Sequence, residues 1–391
     1  MNNFSFWMPT KIVFGEGTPE QVGAEVRTFG GSNVLVLHGK GSAVKNGLLK
    51  RITDSLEQAG LVWKAVGGIK PNPSAAYAQQ IVDENRDQGI DFLLAVGGGS
   101  TIDTAKAVSY GLAAPDVPVW DYFSKKAEPE CNLPVGVVLS IAAAGSETSD
   151  SAVLTNEELQ IKRGLSSQMN RPKFAIMDPT VTMTLPPRQT ACGVVDIIMH
   201  TLDRYFAEGT GNDVTDGIAA VIMRTVIKYG PIVMADPTNL KARSEIMWAG
   251  SLSHNGMTGL GQTRDFSVHQ LGQALSALFD TLHGESLSAV WASWARYVLD
   301  SDVPRFAKYA REIWNVTEKD DLSAAQKGID MTEAFFRSLD MPVSLEETLG
   351  EVSEEILKAL ARKCSFNGSR RIGSLYSMGE EEMYQVYKMA K

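Results

Sequence analysis

Four residues in the second half of the chain have the side chains and the spacing of a metal site. Asp196 and His200 are four positions apart in a stretch with helical apolar spacing, which places both side chains on one helix face. His269 and His283 could bind the same ion from the other side. One carboxylate and three imidazoles suit Fe(II), Zn(II), Co(II) or Ni(II) better than a thiolate-preferring ion. Ordinary polar helix residues can share this spacing, but these are three of only five histidines in the chain.

A glycine-rich turn in the first half, Gly97-Gly-Gly-Ser100, could bind a phosphate group. It follows the apolar run 91–96 and precedes a helical pattern. Consecutive glycines let the backbone approach an anion, and a helix N-terminus offers N–H groups to it. Ser100 and Asp103 also have the spacing of a capping box. The turn matches neither the Gly-x-Gly-x-x-Gly fingerprint nor a Walker loop. A purely structural turn is the alternative, and the strand and helix beside it favour a phosphate cradle.

A second glycine-bearing turn follows the apolar run 33–38. Dinucleotide folds with an acidic residue at this point bind the adenosine ribose hydroxyls and exclude a 2′-phosphate. Here Gly39 occupies the point, with Ser42 and Lys45 just beyond it. These residues leave room for a phosphate, so a bound dinucleotide would be NADP(H) in preference to NAD(H). A plain surface turn with a solvated lysine is the alternative.

The elements that must position these residues change in character near residue 185. Before it, short apolar runs alternate with amphipathic stretches, which predicts a Rossmann-like, doubly wound parallel sheet. After it, apolar residues recur every three or four positions, which predicts helices alone. We therefore expect an α/β dinucleotide-binding domain over 1–185 and an all-helical metal-binding domain over 186–391. With the glycine turns in one domain and the metal candidates in the other, a cleft between domains is the expected reaction site.

Composition excludes some classes of function. The net charge of −9, without a cluster of Lys and Arg, argues against nucleic acid as a partner. No apolar run approaches the ~20 residues that cross a bilayer, and the N-terminus does not have the pattern of a signal peptide. The three cysteines are scattered, which is typical of reduced thiols. We expect a cytoplasmic protein with no membrane partner.

The combination of these motifs resembles the iron-containing (group III, metal-dependent) alcohol dehydrogenase family. Within the family it is most similar to the NADPH-dependent butanol dehydrogenase and aldehyde reductase branch, and the similarity runs over nearly the whole chain. The segments that carry it are Gly-Gly-Gly-Ser-x-x-Asp-x-x-Lys (97–106), Pro-Asn-Pro (71–73), Gly-Ser-Glu (145–147), Asp-Pro-x-x-Thr (178–182), the run 185–200 that ends in Asp-x-x-x-His, His269 and His-Gly (283–284).

The resemblance implies a dehydroquinate synthase-like architecture and one Fe(II) or Zn(II) held by the four metal candidates. It implies that Gly98, Gly99, Ser100 and Asp103 contact the pyrophosphate and neighbouring ribose of the cofactor. Ser140 and Lys162 would contact the cofactor as well, the lysine at the ribose beside the nicotinamide. A homodimer is also expected. The activity implied is hydride transfer between NADP(H) and a small primary alcohol or aldehyde, with the substrate oxygen at the metal.

The chain departs from the family pattern at two places. Ala143 and Ala144 replace a threonine-bearing stretch, and Gln273 stands where many members have a further histidine, so the sequence identifies no proton donor. Three alternatives stay open at this point: a dehydroquinate synthase-like lyase, a glycerol dehydrogenase-like enzyme on the same scaffold, and a metal-dependent hydrolase. The lyase would need several cations near the metal, where Arg204 and Arg264 are the main candidates. The hydrolase would leave the glycine turns unexplained.

Overall fold

The computed structural model describes residues 1–209 and 212–391. They form two compact units, an α/β unit (residues 7–185 and 237–251) and a helical unit (residues 1–6, 186–236 and 252–391). Residues 1–6 thus group with the helical unit and residues 237–251 with the α/β unit, whereas the sequence-based boundary at residue 185 places them the other way round. The parallel sheet and the large helical region confirm the predicted fold class.

Eight strands lie in the α/β unit. They are β1 (Lys11–Phe14), β2 (Asn33–Gly39), β3 (Val62–Ile69), β4 (Phe92–Gly97), β5 (Val135–Leu139), β6 (Ser151–Asn156), β7 (Ile161–Ser166) and β8 (Phe174–Met177). Six of them form a parallel sheet in the order β1-β8-β5-β4-β2-β3. The chain moves outward from β2 to β3 and then returns to the other side of β2, so the strand order reverses between β2 and β4. Open α/β sheets bind ligands at such a switch point, beyond the carboxyl ends of the strands.

The described residues contain sixteen α-helices. The α/β unit contains α1 (Val22–Thr28), α2 (Ser42–Lys45), α3 (Leu48–Gln58), α4 (Ala75–Asn85), α5 (Gly99–Ala113) and α6 (Val119–Phe123). The later helices are α7 (Pro187–Tyr205), α8 (Asp213–Ala235), α9 (Leu240–His254), α10 (Ser267–Phe279), α11 (His283–Val298), α12 (Val303–Trp314), α13 (Asp321–Ser338), α14 (Leu345–Leu349), α15 (Glu354–Cys364) and α16 (Glu380–Met389).

Both faces of the sheet are buried, as the continuous apolar strands predict. Successive side chains of a strand point to opposite faces. Accordingly, Leu35 and Leu37 pack in one cluster with residues of α4, α5 and α6. Val34 and Val36 pack in a second cluster with residues of α1 and α3. The sheet is therefore a rigid platform that fixes where its carboxyl-end loops begin.

Two features of the fold differ from the sequence-based expectation. β6 and β7 form an antiparallel hairpin that the sequence patterns did not indicate. The apolar spacing predicts a helix over 213–229, before a Gly-Pro pair, but the helix continues to Ala235. Pro231 removes one backbone hydrogen bond, yet the helix passes through it. A Cβ on Gly230 would lie 2.9 Å from the side chain of Val194, so α7 and α8 are in close contact there.

The segment 237–251 belongs to the α/β unit because its side chains pack there. Ser251 donates a hydrogen bond to the buried carboxylate of Glu147, and Met247 lies in the core beneath the sheet. The ring of Trp248 packs edge-on against Phe14, with the ring centroids 6.2 Å apart. Most of α9 is thereby held by the α/β unit, although it follows α8 in sequence.

One described helix, α8, is long and apolar enough by length and composition to cross a membrane. A core helix of a globular protein passes the same test. Asp216 in its first turn is buried and forms ion pairs with Arg305 and Lys308. A charge network at this position is typical of a helix packed inside a protein.

Candidate metal centre and cofactor loops

The four predicted metal ligands meet at one point of the helical unit. Asp196 Oδ1 lies 3.4 Å from His200 Nε2 and 3.6 Å from the Nε2 atoms of both His269 and His283. Asp196, His200 and His269 are buried, and His283 keeps 29% of its side chain exposed. Three helices supply these side chains: α7 carries the Asp-x-x-x-His pair, α10 carries His269 and α11 begins at His283. Because His283 is partly exposed, the cluster is open to solvent on the side of this residue.

Two glycines allow these helices to approach so closely. A Cβ on Gly284 would lie 2.5 Å from Cys192 Cα, one turn before Asp196 on α7. A Cβ on Gly272 would lie 2.9 Å from both Leu287 and Ser286 of α11. Backbone atoms cannot move aside as a flexible side chain can. The glycine after His283 is thus required for α11 to begin against α7.

A further carboxylate, Asp203, supports the cluster from behind. Its Oδ2 is hydrogen-bonded to Nδ1 of His269. With Nδ1 engaged as the donor, Nε2 of His269 is turned toward Asp196. Histidines that bind metals commonly have such an outer partner, which fixes the tautomer and the ring orientation. Sequence reasoning missed Asp203. The available signal was its position, seven residues after Asp196 on the same helix face.

The fourth histidine of this region, His254, was also missed. Its ring packs against His200, with the centroids 4.0 Å apart, and it is buried. Phe266 contacts the other side, with its ring edge-on to both His200 and His269. Four of the five histidines in the chain are therefore gathered here.

The cluster fits a divalent cation. Asp196 Oδ1 and His269 Nε2 are buried, and neither has a hydrogen-bond partner among the described residues. Burial, together with His254 and His269, holds the pKa of His200 well below its usual value, so this imidazole is a neutral donor. Burial lowers the pKa of His269, but Asp203 and Asp196 outweigh it and raise the pKa to about 9. A cation would satisfy the orphaned oxygen and nitrogen together.

Thiolate ligation does not compete at this point. Cys192 lies one turn before Asp196 on α7. Burial and the nearby Glu285 carboxylate raise the pKa of its thiol to about 12. The thiolate is the form that binds metals, so a thiol with this pKa is a poor ligand. The donor set remains one carboxylate and three imidazoles, which suits a borderline ion such as Fe(II) or Zn(II).

The predicted cofactor turns share one edge of the sheet. β2 ends at Gly39, β4 ends at Gly97, and β5 ends just before Ser140. β4 pairs with both β2 and β5 in parallel, so these ends are neighbours. The backbone N–H of Ser140 donates to the carbonyl oxygen of Gly97, 3.0 Å away. The turns therefore meet at the topological switch point.

The glycine triplet begins α5, although differently from the prediction. Gly98 is the N-cap, and no side chain caps the helix, so the predicted Ser100–Asp103 capping box is wrong. A Cβ on Gly97 would lie 2.3 Å from the side chain of Thr101, and one on Gly98 would lie 3.0 Å from Ile141. The turn thus has no room for larger side chains at Gly97 and Gly98. The first N–H groups of α5 have no partner within the helix, as a phosphate site requires.

Asp103 and Lys162 both have protein partners. Asp103 accepts hydrogen bonds from Ser146 Oγ at 2.6 Å and from the backbone N–H of Val153 at 3.0 Å. Lys162 Nζ, on β7, donates to Oδ1 of Asn72 at 2.9 Å. Asn72 is the centre of the Pro-Asn-Pro turn and has a left-handed backbone, with φ of 54°. Direct contact of Asp103 and Lys162 with the cofactor stays a prediction.

Ser42 and Lys45 lie on the short helix α2, just after Gly39. The side chains of both residues are exposed. The backbone N–H of Lys45 donates to the carbonyl oxygen of Gly41, which closes the turn. Gly39 itself has space beside it, since a Cβ there would lie 3.6 Å from the carbonyl oxygen of Ile69. The end of β2 therefore has room for at least a methyl group at Gly39, and binding of a 2′-phosphate there stays a prediction.

Comparison with known proteins agrees with this geometry. Residues 9–179 match the iron-containing alcohol dehydrogenase family, and residues 190–391 match the C-terminal region of the Fe-containing alcohol dehydrogenase family. The chain is 35% identical to NADH-dependent butanol dehydrogenase A of Clostridium acetobutylicum over 390 residues, 99% of each chain. It is 32% identical to the NADPH-dependent aldehyde reductase YqhD of Escherichia coli over 397 residues, 100% of each. The crystal structure of NADH-dependent butanol dehydrogenase A from Thermotoga maritima has a TM-score of 0.96 and 33% identity, covering 100% of this chain and 99% of that one.

Taken together, these matches show that the protein is an oxidoreductase. The chain belongs to the iron-containing alcohol dehydrogenase family. It is an NAD(P)-dependent enzyme that acts on an alcohol or aldehyde group and uses a metal together with a nicotinamide cofactor.

Proposed function

We propose that the protein reduces small aldehydes to primary alcohols and catalyses the reverse reaction, with NADP(H) preferred over NAD(H). The convergence of Asp196, His200, His269 and His283 on one point carries this proposal. In the reducing direction an aldehyde, NADPH and one proton give an alcohol and NADP⁺.

The same four residues would hold Fe(II) or Zn(II). Such an ion polarises the oxygen of an aldehyde and lowers the pKa of an alcohol. The chain contributes the arrangement of the donors. Asp203 holds the ring of His269, Gly284 allows His283 to approach α7, and His254 packs behind His200. The partly exposed His283 marks the side of the cluster that a substrate can reach.

The surroundings of the cluster suit an uncharged substrate. Phe266 is an apolar group beside His200 and His269. Arg204, the nearest cation on α7, is buried, with its guanidinium 4.8 Å from the Phe266 ring and its Nη1 donating to the carbonyl oxygen of His200. It is thus used within the protein. A small aliphatic or aromatic aldehyde fits this environment better than the phosphorylated substrate of a lyase.

The preference for NADP(H) rests on the end of β2. Gly39 places no carboxylate beside the adenosine ribose, and the basic Lys45 follows six positions later. The relatives differ in this respect, since the butanol dehydrogenases are named as NADH-dependent and the aldehyde reductase as NADPH-dependent. The absence of an acidic side chain is the feature that favours the 2′-phosphorylated cofactor.

The metal and cofactor can be tested together. The purified protein is stripped with a chelator, checked for metal by elemental analysis, and reloaded with Fe(II), Zn(II), Co(II) or Ni(II) one at a time. NADPH absorbance is then followed across a series of aldehydes. We expect activity to vanish on stripping and to return with Fe(II) or Zn(II). Full activity in a verified metal-free sample would refute the metal proposal. Failure of NADPH and NADH to bind would instead favour a metal-dependent hydrolase.

The homodimer and the cytoplasmic location expected from the sequence stay predictions. Analytical ultracentrifugation of the purified protein tests the first, and fractionation of the source cells tests the second. Neither outcome changes the chemistry assigned to the four metal donors.

A further inference from the structure

A buried lysine in the α/β unit is unexplained by the proposed reaction. Lys106 lies on the second turn of α5 and is 1% exposed. Its Nζ donates to the carbonyl oxygens of Ser146 and Ser151, each at 2.7 Å, and to Ser146 Oγ at 2.9 Å. These three acceptors use the three protons of the ammonium group. Ser146 lies in the loop between β5 and β6, and Ser151 is the first residue of β6.

The charge of Lys106 is compensated by nearby carboxylates. Burial lowers its pKa to about 8, against the attraction of Asp103, Glu147 and Asp150, while Arg171 acts in the same direction as burial. A buried cation is retained only where its hydrogen bonds and its counter-charges are in place. The buried charge of Lys106 is therefore stable only when the segment 146–151 is in place. In turn, the hydrogen bonds from Lys106 hold that segment in position.

Asp103 and Ser146 complete the arrangement. Ser146 Oγ accepts from Lys106 and donates to Asp103 Oδ1 at 2.6 Å. The other oxygen of Asp103 accepts from the backbone N–H of Val153, at the start of β6. The two charged residues, one turn apart on α5, thus hold the second half of the loop that leads from β5 to β6, together with the first residues of β6. We call Asp103, Lys106 and Ser146 the loop clamp.

The clamped loop forms the second wall of the cofactor turn. A Cβ on Gly98 would lie 3.0 Å from Ile141, and one on Gly99 would lie 3.5 Å from Ala144. The segment 141–144 therefore lies against the glycine triplet, directly before the clamped residues. A shift of this loop by about one ångström would close or widen the space over the N-terminus of α5, where hydrogen-bond geometry is sensitive to such distances.

We propose that the loop clamp positions the cofactor site by fixing the distance between the Gly97–Gly99 turn and the 140–145 loop. This inference rests on the proposed function, because it assumes that the nicotinamide cofactor binds at this edge of the sheet. Asp103, Lys106 and Ser146 act as positioning residues, which explains why the oxygens of Asp103 are occupied by protein donors. The metal donors, all on α7, α10 and α11, are not part of this device.

The test compares Ser146→Ala, Asp103→Asn and Lys106→Met with two control variants. Ser55→Ala removes another serine hydroxyl that bridges two segments of the α/β unit, and Lys64→Met removes an exposed lysine of β3. Each protein is titrated with NADPH by fluorescence, assayed for KM and kcat, and analysed for bound metal. We expect the NADPH Kd to rise at least about fivefold for Ser146→Ala and Asp103→Asn. For Ser146→Ala, kcat at saturating NADPH and the metal content should stay within twofold of wild type, as should all values for the controls.

A Kd within twofold of wild type for Ser146→Ala and Asp103→Asn would overturn the inference, even if their melting temperatures fell. A combined loss of kcat, metal and cofactor affinity would also overturn it, because a general structural defect would then explain the result. Wild-type protein that binds neither NADPH nor NADH would overturn the proposed function instead. Ser146→Ala keeps the charges in place, so the test remains available if Lys106→Met does not fold.

Discussion

Asp203 Oδ2 is hydrogen-bonded to Nδ1 of His269, a residue 66 positions away in sequence and one of the four proposed metal donors. The contact joins α7 to α10 and turns the other nitrogen of the ring toward Asp196. Removing the Asp203 carboxylate would free the imidazole of His269 to rotate. It would also remove the negative charge that makes this imidazole a stronger metal ligand.

We expect Asp203→Ala to weaken metal binding by about 10–100-fold, the usual effect of losing an outer partner of a metal-binding histidine. Asp203→Asn can keep the hydrogen bond without the charge, so its loss should be smaller. Competition with a chromophoric chelator measures the affinity, and the visible spectrum of the Co(II)-loaded protein reports the geometry. Asp330→Asn, an exposed carboxylate on α13, is the control. Wild-type affinity and spectrum in Asp203→Ala would disprove the supporting role.

Gly284→Ala tests the contact between α11 and α7. The added methyl would lie 2.5 Å from Cys192 Cα and 2.6 Å from its carbonyl oxygen. Overpacking of this kind costs about 1–3 kcal/mol, and here it also displaces His283. We expect lower stability to urea together with reduced metal content.

Gly217→Ala is the matched control for that substitution. This position is inside α8. Among the described residues, a Cβ there would have no atom within 4 Å apart from its chain neighbours and the nearby backbone of its own helix. Alanine in an exposed helix interior stabilises by about 0.5–1 kcal/mol relative to glycine. Unfolding in urea should therefore shift in opposite directions for the two variants. If urea unfolded both variants with the same shift from wild type, the close contact at Gly284 would not contribute to stability.

Gly39→Asp should reverse the cofactor preference. A carboxylate at the end of β2 would repel a 2′-phosphate and accept hydrogen bonds from ribose hydroxyls. We expect kcat/KM with NADPH to fall by about two orders of magnitude while that with NADH changes by less than about tenfold. Gly39→Ala adds bulk without charge, and the 3.6 Å spacing to the Ile69 carbonyl oxygen accepts it. A wild-type enzyme that prefers NADH tenfold would contradict the assignment.

Metal binding should release a proton. Although burial opposes it, the pKa of His269 is raised to about 9 by Asp203 and Asp196, so the metal-free protein carries a proton there at pH 7. An ion must displace that proton, and its apparent affinity should therefore rise as pH increases toward 9. Calorimetric titration in buffers of different ionisation enthalpy should show at least one proton released per ion at pH 7. No release at that pH would contradict the protonated state.

The same shift affects the stability of the metal-free protein. A histidine whose pKa is higher in the folded state than its ordinary value of 6.5 favours folding at low pH. This contribution is complete below about pH 6.5 and is lost as the pH rises through about 9. Urea unfolding of stripped protein at pH 6.5 and pH 9 should show the decrease, provided that ionic strength is held constant. Equal stability at the two pH values would argue against it.

The strands were predictable because they are buried on both faces and are therefore continuously apolar, as in Asn33–Gly39 and Phe92–Gly97. The hairpin of β6 and β7 was not, since its strands mix polar and apolar residues and β7 is mainly half-exposed. The extension of α8 past Pro231 was missed because a proline usually ends a helical pattern, whereas packing against α7 sustains this one.

The proposed metal donors could be selected from the sequence because two of them share a helix face and because histidine is rare in the chain. Asp203 and His254 required the structure, since their roles depend on how α7 packs against α10 and where α9 ends. The capping box was wrongly predicted because Ser100 lies inside the first turn of α5, while Asp103 bonds to Ser146 rather than to the helix terminus. A motif of four residues could not reveal a partner that is 43 positions away.

The four metal donors and Asp203 all lie between residues 196 and 283, whereas every segment proposed to hold the nucleotide ends by Lys162. A change of coenzyme therefore needs no mutation among the residues that carry the ion. Mutagenesis confined to the N-terminal half of the gene could search for a new coenzyme while the reactivity of the centre is inherited unaltered. Coenzyme preference and metal binding, which catalysis uses together, are thus assigned to different parts of the sequence.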